Sequence, residues 1–340
     1  MKKDGVRKKD AINGSKEESM DRKDLKIVVV YGGFSSEREV SLRSGAAVLD
    51  GLKQSGYRNV SLFDLKRENL SELLQTPMDL AFLALHGEGG EDGQIQGALD
   101  LAGILYTGSS VEASANCMNK VRAKELLSYG GVPTPRFITA FSDEVEDVSR
   151  FAKRLIDTIG LPMVLKSPCQ GSSIGVVIVK CAEEIPSAIE EVFRYGDVLL
   201  AEEFVDGIEV TLPILGNSDP VALPIVEITS ENEFYDYEAK YTQGMCHHII
   251  PARISEAVQA QVSEIGRKAY RLIGCRGLAR IDFILDKARG PMLIEINTLP
   301  GMTEMSLFPD SARYAGISFS ELTDRIVALA LNQTKKQEKI

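Results

Sequence analysis

No apolar run in the 340-residue sequence is longer than a strand; IVVVY and AFLAL are typical, so nothing read from the sequence spans a bilayer. Positive charge is in deficit: 39 Lys and Arg against 49 Asp and Glu give a net charge of −10. Without a basic cluster, phosphate backbones are repelled, which excludes a nucleic-acid partner. The five cysteines, at 117, 169, 181, 246 and 275, are odd in number and share no paired spacing. With no secretory signal pattern, that predicts reduced thiols and a cytoplasmic protein, not a disulfide framework. Repeats are absent, and so is the GxxxxGK[ST] phosphate loop.

What remains is ordinary globular composition, 44% hydrophobic and 26% charged, with length enough for two or three domains. Residues 1–23, beginning MKKDGVRKKDAINGSKEES, hold too little apolar surface to offset ordering and read as a disordered tail; residues 334–340 read as a second. Met20 is then an alternative start. From 24 to 118, IVVVY, NVSLFDL and AFLAL alternate with helix-period runs at 38–54 and 94–101, and ILY at 104–106 adds a small strand. Continuous apolar strands alternating with helices predict a parallel α/β sheet covered on both faces. From 119 to 206, MVLK and VVIVK flank a Gly/Ser turn among helices, predicting a small α+β lobe. From 207 to 333 the strands lengthen (EVTLPILG, VALPIVEIT, GLARIDFIL, PMLIEIN) and form a third segment facing the second.

The chemistry concentrates where GLARIDFILD and PMLIEIN are joined by a short turn. Strand alternation puts Arg280 and Asp282 on one face, and Glu295 and Asn297 on the face opposite Ile294 and Ile296. An antiparallel hairpin brings the two polar faces together. Two carboxylates and an amide suit magnesium that keeps water or phosphate oxygens, and Arg280 suits phosphate or an oxyanion. A solvated polar face with an Arg–Asp pair is the plain alternative. The following NTLPGMT turn offers backbone N–H groups beside that face.

Four further segments carry polar groups at strand ends. In MVLKSPCQGSSIGV, Lys166 precedes a turn rich in serine and glycine without acids, a cradle for phosphate or simply a hairpin turn. HGEGGEDG carries Glu88, Glu91 and Asp92, which repel phosphate and suit an ammonium group; His86 there either handles a substrate proton or is hydrogen-bonded structurally. Glu37, heading a helix after a parallel strand, either holds an amine at the sheet edge or compensates the helix dipole. The long aromatic connection FYDYEAKYTQGMCHHIIP reads as a lid with Lys240 and Tyr241 inward, or as a self-packed surface loop. Consecutive side chains diverge, so Cys246-His247-His248 makes no zinc site.

Taken in order, GGFSSEREVSLRSG, ALHGEGGEDG, YTGSS, NK at 119–120, GSSIGV, AEEFVDGIEVT, FYDYEAKY, GLARIDF and EINTLPGMTEMSLFP resemble the D-alanine:D-alanine ligases of the ATP-grasp superfamily, from about Lys26 to Leu331. The resemblance implies a three-domain ATP-grasp architecture with an N-terminal Rossmann-like parallel-sheet domain, in a cytoplasmic homodimer that supplies peptidoglycan synthesis. It places Lys120, Lys166 and Ser173 at ATP phosphates, Glu202, Glu203, Val205 and Glu209 around adenine and ribose, Phe234 on the base and Lys240 at the γ-phosphate. Asp282, Glu295 and Asn297 would bind two magnesium ions, or manganese. Glu37, with His86 nearby, would hold the first D-alanine ammonium, and Ser172 and Tyr241 would join Glu37 in latching the lid. Arg280 and the Gly301 N–H would face the oxyanion, and Ser306 and Leu307 the second carboxylate. Glu203 stands where some relatives carry lysine, an exchange that a backbone contact survives. Tyr241 and Leu307 favour D-alanine over D-lactate as acceptor. D-serine is the alternative acceptor, and an inactive ATP-binding regulator is the alternative of another class.

Overall fold

The computed structural model describes residues 21–171, 174–230 and 246–337. The chain opens with β1 (Lys26–Gly32), α1 (Arg38–Gln54), β2 (Asn59–Leu65), α2 (Leu70–Gln75) and β3 (Leu80–Leu83), followed by α3 (Gln94–Leu101), α4 (Val111–Met118) and α5 (Lys120–Tyr129). The three strands pair in parallel in the order β2-β1-β3. Alternation divides β1: Ile27 and Val29 enter one core with Leu80 and Phe82, while Val28 and Val30 enter another with Ala81 and Leu83. The ILY segment contributes only a single parallel bridge, Ala81 to Tyr106, because the chain turns into Thr107 and Gly108 at once.

The middle segment comprises β4 (Phe137–Phe141), α6 (Val148–Thr158), β5 (Met163–Lys166), β6 (Val176–Val179), α7 (Ile185–Phe193) and β7 (Val198–Glu203). Its strands form an antiparallel sheet in the order β4-β7-β5-β6, and α6 and α7 bury Phe151, Leu155, Ile185, Ile189 and Val192 in one core with it.

The last segment contains β8 (Gly207–Leu215), β9 (Val221–Ala222), β10 (Val226–Ser230), β11 (Cys246–Ile249), α8 (Glu256–Ile273), β12 (Leu278–Asp286), β13 (Gly290–Asn297), α9 (Leu307–Tyr314) and α10 (Phe319–Gln337). The sheet runs β11-β10-β8-β12-β13, with β9 on β8. VALPIVEIT, expected as one strand, is split at Pro224, which has no N–H to give a ladder. One face of the sheet (Leu212, Ile281, Phe283, Ile296) packs on Val262, Ala269 and Tyr270 of α8, and Ala113, Ala123 and Leu127 of α4 and α5 join the same core. The opposite face is therefore left for polar chemistry.

The ends of the chain tie back to the first sheet. Leu322, Ile326 and Ala330 of α10, one turn apart, share a core with Val48 and Leu52 of α1 and with Ile27 and Val29. Arg22 and Lys23, read from sequence as tail, instead pair with Asp324 of α10, which also accepts from the Tyr57 hydroxyl. Likewise α10 runs on to Gln337, beyond the boundary expected at 333.

Candidate active site

The β12–β13 register sets Arg280 opposite Asn297 and Asp282 opposite Glu295. A bulge between Asp282 and Phe283 then shifts the pairing, so Leu293 faces Phe283 and fills the core position expected for Ile294. The polar face is tightly cross-bonded. Arg280 donates from Nε to Asp282 Oδ1 at 2.9 Å and from Nη2 to Oδ2 at 2.7 Å. Asn297 Nδ2 donates to Oδ2 at 3.1 Å, and the buried Thr211 hydroxyl, from the neighbouring β8, donates to Oδ1.

Lys120, the first residue of α5, reaches across to this hairpin. Its Nζ lies 3.3 Å from Glu295 Oε2 and donates to the Gln170 carbonyl at 2.9 Å. Its backbone N–H donates to Pro168 O, so the turn after Lys166 is held beside the hairpin at two points. Asn119 caps the helix from its side chain, which fixes where Lys120 emerges.

Lys166 ends β5 with its side chain buried against Glu202 Oε2. The other oxygen of Glu202 lies 2.6 Å from Nζ of Lys124, an ion pair without hydrogen-bond alignment. Lys124 also donates to Thr134 Oγ1 at 2.6 Å and sits over the Phe137 ring. Burial pushes Lys124 down to about 8 against the pull of Glu202. Burial would raise the Glu202 carboxyl, but the charges of Lys166 and Lys124 outweigh it and hold its pKa below the usual value. Expected at adenine, the Glu202 carboxylate is thus engaged by two lysines. The Glu203 carboxylate points to the other side of β7, where Arg136 and Arg289 bind it; its N–H is taken by Arg136 O. Val205 is buried and Glu209 half-buried.

Glu37 stands at the N-cap of α1, and its side chain makes no capping hydrogen bond. Its carboxylate lies where the first segment meets the serine turn. A Cβ on Gly87 or on Gly171 would come within 3.0 Å of Glu37 Oε2, so glycine lets both loops close on that oxygen. His86, in the same loop as Gly87, is buried with both ring nitrogens engaged. Nδ1 is 3.0 Å from the Leu299 carbonyl, which can only accept, so Nδ1 carries the proton. Nε2 then accepts from the Ser44 hydroxyl at 3.0 Å, and Ser44 Oγ accepts the Met302 N–H. Burial lowers the His86 pKa and keeps the ring neutral, with the Glu37 charge opposing. The ring thereby links its own loop to the Leu299–Met302 turn. Glu91 accepts the Gly87 N–H at 2.9 Å; burial, and then the Glu37 charge, push its carboxyl up to about 8.

Gly301 lies in that turn and packs on Ser306, since a Cβ there would fall 2.8 Å from Ser306 Oγ. Ser306 Oγ accepts the Thr303 N–H at 3.1 Å and pairs with the Thr303 hydroxyl at 2.8 Å. Leu307 is buried with Val226, Ile228 and Ile250. Ser172, Ser173, Phe234, Lys240 and Tyr241 lie outside the described residues.

Among the described residues no three His, Cys, Asp or Glu side chains form a metal cluster. His247 and His248 do diverge, the first exposed and the second bonded to Asp310. The hairpin's donors nonetheless fit magnesium: Asp282 faces Glu295 across the ladder with Asn297 beside them, and phosphate or water oxygens complete such a shell. Sequence reasoning missed Lys124, Ser44 and the raised carboxyl of Glu91. Lys124 stands four residues after Lys120 on one helix, a spacing that places both on the same side; nothing local marks Ser44.

The chain matches the family models for the D-ala D-ala ligase N-terminus over residues 63–109 and C-terminus over 126–328. It is 49% identical over 311 residues to a D-alanine–D-alanine ligase of Desulforamulus reducens, covering 91% of this chain and 99% of the relative. A ligase of the same name from Carboxydothermus hydrogenoformans is 46% identical over 313 residues, 92% and 100% of the two chains. Among solved structures, the Bacillus anthracis D-alanine–D-alanine ligase complexed with ATP superposes with a TM-score of 0.80 at 32% identity, covering 92% of this chain and 99% of that one. The VanG D-Ala:D-Ser ligase of Enterococcus faecalis gives 0.78 at 29%, covering 90% and 99%. By the extent of the family match and this identity over nearly the whole length, the chain belongs to the D-alanine–D-alanine ligase family.

Proposed function

We propose that the chain joins two D-alanines at the expense of ATP, giving D-alanyl-D-alanine, ADP and phosphate. The observation that carries this is the linking of three groups by consecutive contacts: the Asp282–Glu295 face, Lys120 bridging it to the turn after Lys166, and Glu37 against Gly87 and Gly171. A carboxylate oxygen of the first D-alanine attacks the γ-phosphorus, the bond to ADP breaks, and an acyl phosphate forms. The amine of the second D-alanine attacks that carbonyl carbon; the carbon–oxygen bond to phosphate then breaks and the nitrogen gives up its proton. Glu37 holds the first ammonium and Lys120 and Lys166 neutralise phosphate. Arg280, released from Asp282, and the Gly301 N–H face the developing oxyanion. Magnesium on Asp282, Glu295 and Asn297, as two ions, supplies charge neutralisation on phosphate oxygens when bound.

The second D-alanine would place its carboxylate at Ser306 and Leu307, beside the apolar cluster of Val226, Ile228 and Ile250. A cytoplasmic homodimer in cell-wall precursor synthesis fits this reading. Among the described residues no helix is long and apolar enough to cross a membrane. The test is phosphate release from ATP by the purified protein with D-alanine alone, and with D-alanine plus D-serine or D-lactate at neutral pH. Release with D-alanine alone is the expected result. Release only when a second compound is added reassigns the acceptor, and ATP binding with no release in any mixture supports the inactive regulator.

A further inference from the structure

On the proposed reading, the second D-alanine's subsite is built from the turn that follows β13 and the first residues of α9. β10 and β11 pair antiparallel, with Ile228 opposite His248, so this ribbon lies against α9. Two contacts join it to the helix. Val226, Ile228 and Ile250 enclose Leu307, the first residue of α9. One turn further on, Asp310 Oδ2 receives the His248 ring nitrogen Nδ1 at 2.7 Å. Both side chains are largely buried, 18% and 15% exposed, so water competes little for this bond.

Asp310 passes the contact on. Its Oδ1 accepts from Arg313 Nη1 at 2.7 Å, and Nη2 of the same arginine donates to the Glu304 carbonyl at 3.2 Å. Glu304 lies in the turn between Gly301 and Ser306, and Asp310 N–H closes the helix on Ser306 O. A chain of hydrogen bonds thus runs from β11 through Asp310 and Arg313 to the backbone of the acceptor turn. Burial would raise the Asp310 carboxyl, but the hydrogen bonds and charges of His248 and Arg313 outweigh it and keep it ionised.

We infer that His248 is a positioning residue for the acceptor D-alanine: through Asp310 and Arg313 it fixes the Gly301–Leu307 segment on the β10–β11 ribbon. These bonds end on the acceptor turn rather than on Lys120, Lys166 or the metal hairpin. Loss of His248 therefore acts on one Michaelis constant out of three. The inference rests on the ligase reading given above.

The test measures initial rates of phosphate release for the full-length wild type and for His248→Ala, His248→Gln and Arg313→Ala, fitting separate KM values for ATP, donor and acceptor D-alanine. In His248→Ala the acceptor KM should rise about five- to tenfold, the weight of one charge-assisted hydrogen bond, with the ATP and donor values within about twofold of wild type. His248→Gln, whose amide can still donate to Asp310, should recover most of this, and the exposed Arg313→Ala should raise the same constant by about twofold. An unchanged acceptor KM, equal changes in all three constants, or no recovery with glutamine overturns the inference. If His248→Ala does not fold, an unchanged acceptor KM in Arg313→Ala overturns it, and a selective rise supports it. Wild-type protein without D-alanine-dependent release overturns the ligase reading and the inference together, whereas an active wild type with unmoved variants overturns the inference alone.

Discussion

The hairpin face and the central sheet both pair carboxylates with cations, yet they keep them in different surroundings. On the hairpin, Arg280 and Asp282 retain 18% and 12% side-chain exposure and Lys120 and Glu295 retain 14% and 24%. In the central sheet Lys124, Glu202 and Lys166 retain 1%, 5% and 6%. A charge at the edge of water can change partners at modest cost, because the partner it leaves is resolvated. A charge sealed in apolar surroundings cannot, since what stays behind is unpaired. The hairpin network is therefore the exchangeable one: in the proposed mechanism Lys120 passes to phosphate and Arg280 to the oxyanion. The Lys124–Glu202–Lys166 triad is fixed.

If that contrast is right, substitutions in the two regions fail in different ways. Glu295→Ala should lower turnover by about 10³-fold or more, equivalent to about 4 kcal/mol of transition-state stabilisation, while melting within a few degrees of wild type. Phosphate release at ordinary magnesium, alongside a thermal melt, checks it; retained activity refutes the metal assignment, and lost folding breaks the comparison. Lys124→Met should do the reverse. Breaking a buried ion pair from one side costs about 3–5 kcal/mol of stability, so its urea midpoint should fall well below wild type. Adding Glu202→Gln should deepen that loss, because Lys166 is then left buried without its counter-charge. A Lys124→Met protein as stable as wild type would mean that Lys166 alone suffices to hold Glu202.

How far each region was legible follows from the same contrast. The hairpin is local: strand alternation within 278–286 and 290–297 brought Arg280, Asp282, Glu295 and Asn297 to one face, and the register agrees. Only the bulge escaped, because nothing in MLIEIN marks Leu293 over Ile294 for the core. The α1 and α3 boundaries were also readable, from helical periodicity closed by turn residues. The triad is tertiary. Lys124 comes from a helix, Lys166 and Glu202 from neighbouring strands, and no spacing in the sequence announces that they converge. A family resemblance assigned Glu202 to the nucleotide, but could not show that its side chain is already engaged by two lysines. The α9 helix, whose start carries Ser306 and Leu307, was likewise invisible as a helix, since FPD interrupts its opening turn.

His86 sharpens the comparison as a third case, a titratable group as buried as the triad but held neutral. Its ring bonds leave no counter-charge in contact, so protonation is resisted by burial, and its pKa lies below the ordinary 6.5. The unfolded chain takes up a proton as pH falls through 6.5, whereas the native protein does not until its own lower pKa is passed. Unfolding is thus favoured by acid in that window: stability contributed by neutral His86 is full above 6.5 and declines below it. His86→Gln should cost about 1–2 kcal/mol at pH 8, the loss of well-made buried hydrogen bonds, since an amide cannot reproduce both ring contacts. Glutamine does not titrate, so the gap between the two proteins should narrow from pH 6.5 downward. Denaturant melts at pH 8 and pH 5 in the absence of substrates measure both quantities. A gap that stays constant with pH would show that His86 titrates alike in the folded and unfolded chains, and that burial alone does not keep the ring neutral.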